Sequence, residues 1–262
     1  ISDLTSPYMG LASDKKIKSL YPTATYNPHT EAYKLEIRVK KEKDISVSFG
    51  GVIASKPFST GFFELDYLDL SATEVNLNGN IYFGRFYSSA QGRIRWDLPF
   101  LTPFFIEGQF TVNQYDYFNS QSAFIDEISP PYIITSERYG EGKIGFPIAK
   151  KGKLTIGDTY AWQEFNYYQD DNFERGDTAD MTEFHNQSPF IKYEINSLNR
   201  KMYASKGGRF EFLFRYIDGR ERTVPGSTSD NKNISKSNHS WFLSRIQFDK
   251  YFFKKNDFRI GT

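Results

Sequence analysis

The chain has 262 residues, 33 Lys and Arg against 32 Asp and Glu, a net charge of +1, and an aromatic content of 18%. Near-neutral charge gives no strong electrostatic pull on nucleic acid, so no nucleic-acid partner is expected. With no cysteine, disulfides and thiolate-bound metals are excluded, and no apolar run approaches the roughly 18 residues that a membrane helix needs.

Residues 1–44 read differently from the rest. Ala12 to Leu20 is predicted as a short helix capped by Ser13 or Asp14, stopped by Tyr21-Pro22. Tyr33, Leu35, Ile37 and Val39 then alternate with Lys34, Glu36, Arg38 and Lys40, which predicts one amphipathic strand. A helix followed by such a strand resembles the tail of a small periplasmic α/β module.

Residues 45–262 carry about eleven runs of strict apolar and polar alternation. In the clearest, Val75, Leu77, Ile81 and Phe83 fall on one side, and Asn76, Asn78, Asn80 and Tyr82 on the other. A period of two means a strand with two unlike faces. The same pattern recurs at Ile45/Val47/Phe49, Phe63/Leu65/Tyr67, Ile94/Trp96/Leu98, Ile106/Phe110/Val112 and Ile144/Phe146/Ile148. It continues at Leu154/Ile156/Tyr160/Trp162, Ile191/Tyr193/Ile195, Phe210/Phe212/Phe214/Tyr216 and Phe242/Ile246/Phe248, and Phe258 begins the last run. No helical stretch separates these runs, so an antiparallel meander is expected. Such strands suit either a soluble sheet with its apolar face in a core or an outer-membrane barrel with its apolar face in lipid.

The connections favour the barrel. Asp69–Thr73, Pro99–Pro103, Ala149–Gly152 and Phe253–Asp257 are short, with Asn199–Gly208 the longest of that set. The intervening set includes the long polar loops Asn119–Ser136, Gln169–Thr182 and Asp218–Asn238. Short turns at one rim and long loops at the other are the construction of outer-membrane barrels. The polar sides then supply lumen-facing charges: Arg93, Arg95, Glu107, Lys143, Glu194, Glu211 and Arg215, whose default role is to pair with one another. Aromatics near the run ends are expected at the membrane interfaces: Tyr87, Trp96, Tyr115, Tyr117, Trp162, Tyr167, Trp241 and Phe252. Asp158 falls in register with apolar side chains, which predicts a register break, a place near the rim, or a protein contact. The short turns are basic (Lys150, Lys151 and Lys153 among them), as solvated turns commonly are.

No G-x-S-x-G elbow, P-loop, dinucleotide fingerprint or H-E-x-x-H motif occurs. The histidines His29, His185 and His239 are scattered. The acidic stretch Asp170, Asp171, Glu174, Asp177 and Asp180 lacks EF-hand spacing and reads as solvated loop charge. No catalytic residue, metal or cofactor is expected in this chain.

Ala12-Ser13-Asp14-Lys15-Lys16-Ile17-Lys18-Ser19, followed by Tyr21-Pro22-Thr23-Ala24, Val39-Lys40-Lys41-Glu42-Lys43 and Phe49-Gly50-Gly51, resembles a known junction. It is that between the last POTRA module and the barrel in the BamA/TamA (surface antigen) outer-membrane superfamily. Asn80-Ile81-Tyr82-Phe83-Gly84-Arg85-Phe86-Tyr87-Ser88-Ser89 and Tyr203-Ala204-Ser205-Lys206-Gly207-Gly208-Arg209-Phe210 resemble the versions in Bacteroidetes-type patatin-like phospholipases. The resemblance implies an all-β, up-and-down transmembrane β-barrel with about eleven of sixteen strands in residues 45–262. Residues 1–44 would be the end of a periplasmic POTRA-like module. The superfamily's R-G-F tripeptide is not in this sequence and is expected beyond Thr262. The hydrolase serine and aspartate are expected before Ile1, so enzymatic activity would belong to a segment outside this chain. The implied role is to anchor or export a patatin-like lipid acyl hydrolase in a Gram-negative outer membrane. Its implied partners are outer-membrane lipids, with other outer-membrane proteins or a second copy of the chain as further candidates. The alternatives are an assembly factor (insertase), a porin, or a soluble β-rich binding module.

Overall fold

The computed structural model describes residues 17–28, 31–41, 44–54, 59–70, 73–117, 133–148, 152–170, 173–174, 176–198, 206–255 and 258–261, with side chains described as far as Tyr251. Within them the chain forms thirteen strands and no helix. β1 (Ile17–Asn27) and β2 (Ala32–Lys41) make a separate antiparallel pair. The remaining strands are β3 (Ile45–Val52), β4 (Thr60–Leu70), β5 (Glu74–Gly84), β6 (Tyr87–Leu98), β7 (Phe104–Asp116) and β8 (Ile133–Ile148). They continue with β9 (Gly152–Tyr167), β10 (Asp180–Asn196), β11 (Gly207–Val224), β12 (Ser235–Lys255) and β13 (Phe258–Gly261). These eleven form one sheet in strict chain order, every neighbour antiparallel. The protein is therefore all-β with up-and-down topology, as the alternation predicts.

One expectation fails. Ile17–Leu20, predicted to end a helix, lie in β1, and Pro22 lies within that strand opposite Ile37. β1 has a single partner, and such edge strands are where sheets tolerate proline. Ala12–Lys16 lie outside the described residues.

The strands lengthen along the chain, from 8 residues in β3 to 16 in β8 and 21 in β12. Connections on one side, after β4, β6, β8 and β12, have five residues or fewer, and that after β10 has ten; on the other side those after β7, β9 and β11 have ten or more, while that after β5 has two. Most of the β7–β8 loop lies outside the described residues, as do the turn lysines Lys150 and Lys151. The short-side turn before β11 depends on Gly207, which has φ +97°. A Cβ there would meet the Ser197 carbonyl oxygen at 2.1 Å, so only glycine fits.

Burial runs opposite to that of a soluble sheet. Side chains with less than a tenth of their surface exposed include Asn78, Glu107, Thr111, Asn113, Thr155, Thr159, Ser188 and Glu211. Their apolar strand neighbours stand open, with Ile94 53%, Ile156 50% and Ile246 68% exposed. Equal exposure would hold on a flat sheet; the difference means that the sheet curves around its polar face. A cavity of about 270 Å³ on that face is lined by Arg95 of β6 and Arg245 of β12 together, six strands apart in the sheet.

Candidate functional site

The register assigns every side chain to one of two faces. The pairs Asn78↔Arg93, Arg95↔Glu107, Glu107↔Lys143 and Glu194↔Glu211 put the polar sides of successive strands in common rows. All seven predicted lumen charges lie on this face. Arg95 reaches Asp97 at 2.7 Å and Glu107 at 3.6 Å, and Lys143 stands 2.8 Å from both Glu107 and Glu141. Arg215 lies 3.8 Å from Glu141 and donates to Thr159 at 3.2 Å. Glu194 collects Lys153, Lys192 and Arg209 between 3.3 and 3.8 Å. Glu211, only 2% exposed, accepts from three cations: Arg209 at 2.8 Å, Arg245 at 2.9 Å and Lys192 at 3.0 Å. Arg93 donates to Asn76. A buried carboxylate persists in ionised form only with such partners.

Among the described residues, three buried apolar side chains share this face. Phe105 lies under the Arg95 guanidinium at 3.8 Å, Phe190 under Arg215 at 4.8 Å, and Leu213 lines the same cavity. The guanidinium planes gain from the ring faces, and the stack fills the space that long cations would leave.

The opposite face is apolar along hydrogen-bonded rows. One row runs Val75, Trp96, Ile106, Ile144, Ile156, Ile191, Phe214 across seven strands. Asp158 also belongs to this face. There is no register break at it; instead Gln187 donates to its Oδ2 at 2.6 Å, a protein contact.

The interface aromatics divide. Trp96 and Trp162 lie on the apolar face. Tyr87, Tyr115, Tyr167 and Trp241 lie on the charged face. Tyr87 donates to Asn113, which stands two residues before Tyr115 on the same face, and the two tyrosine rings lie 4.9 Å apart. Tyr167 bonds Thr182, and Trp241 stacks on Phe184 at 5.7 Å. The signal was available: Trp241 shares its parity with Arg245, and Tyr87 with Arg93. Tyr117 follows β7 and packs edge-on against Phe86; the Phe252 side chain lies outside the described residues.

Sequence reasoning missed a clasp between two long loops, 168–179 and 225–234. Ser227 donates its hydroxyl to Asp177 Oδ1 at 2.7 Å and its N–H to the Thr178 carbonyl at 3.0 Å. The fully buried Asp180 accepts from the Gly226 N–H at 2.5 Å, and Gln169 donates to Ser229 at 3.1 Å. Lys232 donates to the Gly226 and Ser227 carbonyls. The Asp177 carboxyl is held below its ordinary value, first by the Glu174 N–H and then by the Ser227 hydroxyl, with Lys232 adding attraction. Two members of the predicted acidic stretch are thus engaged by protein donors. Among the described residues, no group of three or more His, Asp or Glu is placed to hold a metal ion.

No family model matches the chain, and no curated protein matches it. Among solved structures, it is similar to BamA from Haemophilus ducreyi lacking POTRA domains 1–3, at 12% identity and a TM-score of 0.48. The match covers 93% of this chain and 50% of that one, so the chain spans half that structure's length.

Proposed function

We propose that this chain is part of an outer-membrane β-barrel, with its apolar face against lipid and its charged face around a hydrated lumen. One observation carries the reading: from β4 to β11 the polar and charged side chains of one face are the packed ones, and the apolar side chains of the other face are the exposed ones. In water, a continuous apolar row of seven strands would have to be covered. In a bilayer it is already solvated, while the charges find water and one another inside. Loops that are longer on the whole on one side support the same reading and orient it, with β1 and β2 on the periplasmic side of a Gram-negative envelope.

The finer role follows the sequence resemblance: the barrel anchors or exports a patatin-like lipid acyl hydrolase encoded elsewhere in the same protein. The test uses the full-length protein in detergent. A barrel migrates faster unheated than boiled on a gel, and a single species that is unaffected by heating and soluble without detergent refutes it. Lipid-ester hydrolysis that disappears when the region before Ile1 is removed supports the anchoring role. An inactive full-length protein overturns that role and leaves the barrel standing.

A further inference from the structure

The apolar face does not stay apolar to its outer end. Along β8 it reads Ile148, Phe146, Ile144, Gly142, Gly140 and then Arg138. The register sets Arg138 in a row with Trp162, His185, Arg220 and Asn238, and the next row outward is Ser136, Glu164, Glu183, Arg222, Lys236. Ile144, in the isoleucine row, lies six residues from Arg138. At about 3.3 Å per residue and a tilt near 45°, Arg138 stands about 14 Å above it. With Ile144 at the middle of an apolar band about 25 Å tall, half of which is about 12 Å, Arg138 falls at headgroup depth on the long-loop side.

The charges in these rows are only partly used. Arg222 pairs with Glu183 at 3.2 Å, and Glu164 accepts from Asn166 at 2.8 Å. Arg138, Arg220 and Lys236 are exposed and make no hydrogen bond or ion pair among the described residues, although carboxylates stand nearby. Beside them Trp162 packs edge-on against Tyr160 at 4.6 Å, an aromatic step at the top of the band. A recess of about 580 Å³ is lined by Tyr160, His185, Arg220 and Lys236 with Glu183, Asp218 and Glu221, and one of about 430 Å³ by Arg138 and Trp162 with Glu164 and Glu183.

We propose that Arg138, Arg220 and Lys236 form an external site for the phosphorylated headgroup of an outer-leaflet glycolipid. Its acyl chains would lie along the apolar face below. This rests on the barrel reading. Unpaired guanidinium groups at headgroup depth form charge-assisted, bidentate bonds with phosphate, and the aromatic step fits the junction between sugar and acyl chain.

The experiment measures binding of diphosphoryl lipid A, and of the same lipid stripped of both phosphates, to the full-length protein in detergent. The wild type is expected to favour the phosphorylated lipid by about tenfold or more, which is about 1.4 kcal/mol. The triple variant R138Q/R220Q/K236Q is expected to lose that preference, and R138K/R220K, which keeps the charge without the bidentate fork, to fall between the two. No preference in a heat-modifiable wild type overturns the site alone; it is read on the native chain, so it decides even if the variant fails to assemble. A heat-modifiable triple variant that keeps the preference also overturns it. A wild type without heat-modifiable mobility overturns the barrel and the site together.

Discussion

Lys143 Nζ lies 2.8 Å from Glu107 Oε1, and Glu107 is only 6% exposed although it projects from the charged face of the sheet. The pair links β7 to β8 in register, so it fastens neighbouring strands as well as balancing charge. Replacing Lys143 by Met leaves Glu107 with Arg95 alone, at 3.6 Å. The loss is expected to be about 1–3 kcal/mol, the cost of a buried group deprived of its partner. Adding Glu107→Leu should recover part of it, because the stranded carboxylate is then gone. Urea midpoints of the two single variants and the double variant measure the coupling.

Ile156 and Thr155 are adjacent but face opposite ways, one 50% exposed and the other 4%. If the apolar face meets lipid, Ile156→Arg costs about 2–4 kcal/mol. If that face met water, the same change at a half-exposed position would shift stability by about 0.5 kcal/mol or less. Unfolding titrations in lipid vesicles separate the two outcomes.

The chain has three tryptophans, and the register places Trp96 and Trp162 on the apolar face and Trp241 on the charged one. In single-tryptophan variants, bilayers of brominated phosphatidylcholine should quench Trp96 and Trp162 strongly and Trp241 weakly. Strong quenching of Trp241 would refute the face assignment.

At Gly145, a Cβ would lie 2.0 Å from the Phe105 ring, the same ring that carries Arg95. Gly145→Ala must therefore displace Phe105, at about 1–3 kcal/mol. Gly142, three residues away, has open space around it, and Gly142→Ala should be tolerated. Unfolding midpoints of the two variants check the difference.

The loop clasp should depend on pH. Asp177 is held below its ordinary value in the folded protein, so its contribution is complete above the unfolded value, near 3.9. It is lost as pH falls through the folded value. Spin labels at G176C and D230C, in a chain with no other cysteine, should move apart on acidification below that range. Asp177→Asn should leave their separation independent of pH. A constant distance in the parent sequence would refute the role given to Asp177.

Much of the fold was legible in the alternation alone, because a period of two ties face to parity without any tertiary information. Val75, Leu77, Ile81 and Phe83 could belong only to one side of one strand, and Arg93, Arg95 and Glu107 only to polar sides. Even the face of Trp241 was there in its parity with Arg245. The failure at Ile17–Leu20 has another origin. Local helix signals compete with pairing to Val39 and Lys40, residues that local reading never brings together.

What the tertiary structure alone decided is register and curvature. Parity says that Glu107 and Lys143 face the same way; only the pairing of β7 with β8 sets them opposite each other. Parity likewise puts Asp158 among apolar neighbours, and only the pairing with β10 brings it Gln187. The loop clasp joins Asp177 to Ser227, fifty residues apart, through backbone geometry that no periodicity encodes. Burial on the polar face also came from curvature, since a strand's sequence names its two faces but the closing of neighbours around one of them determines which is packed.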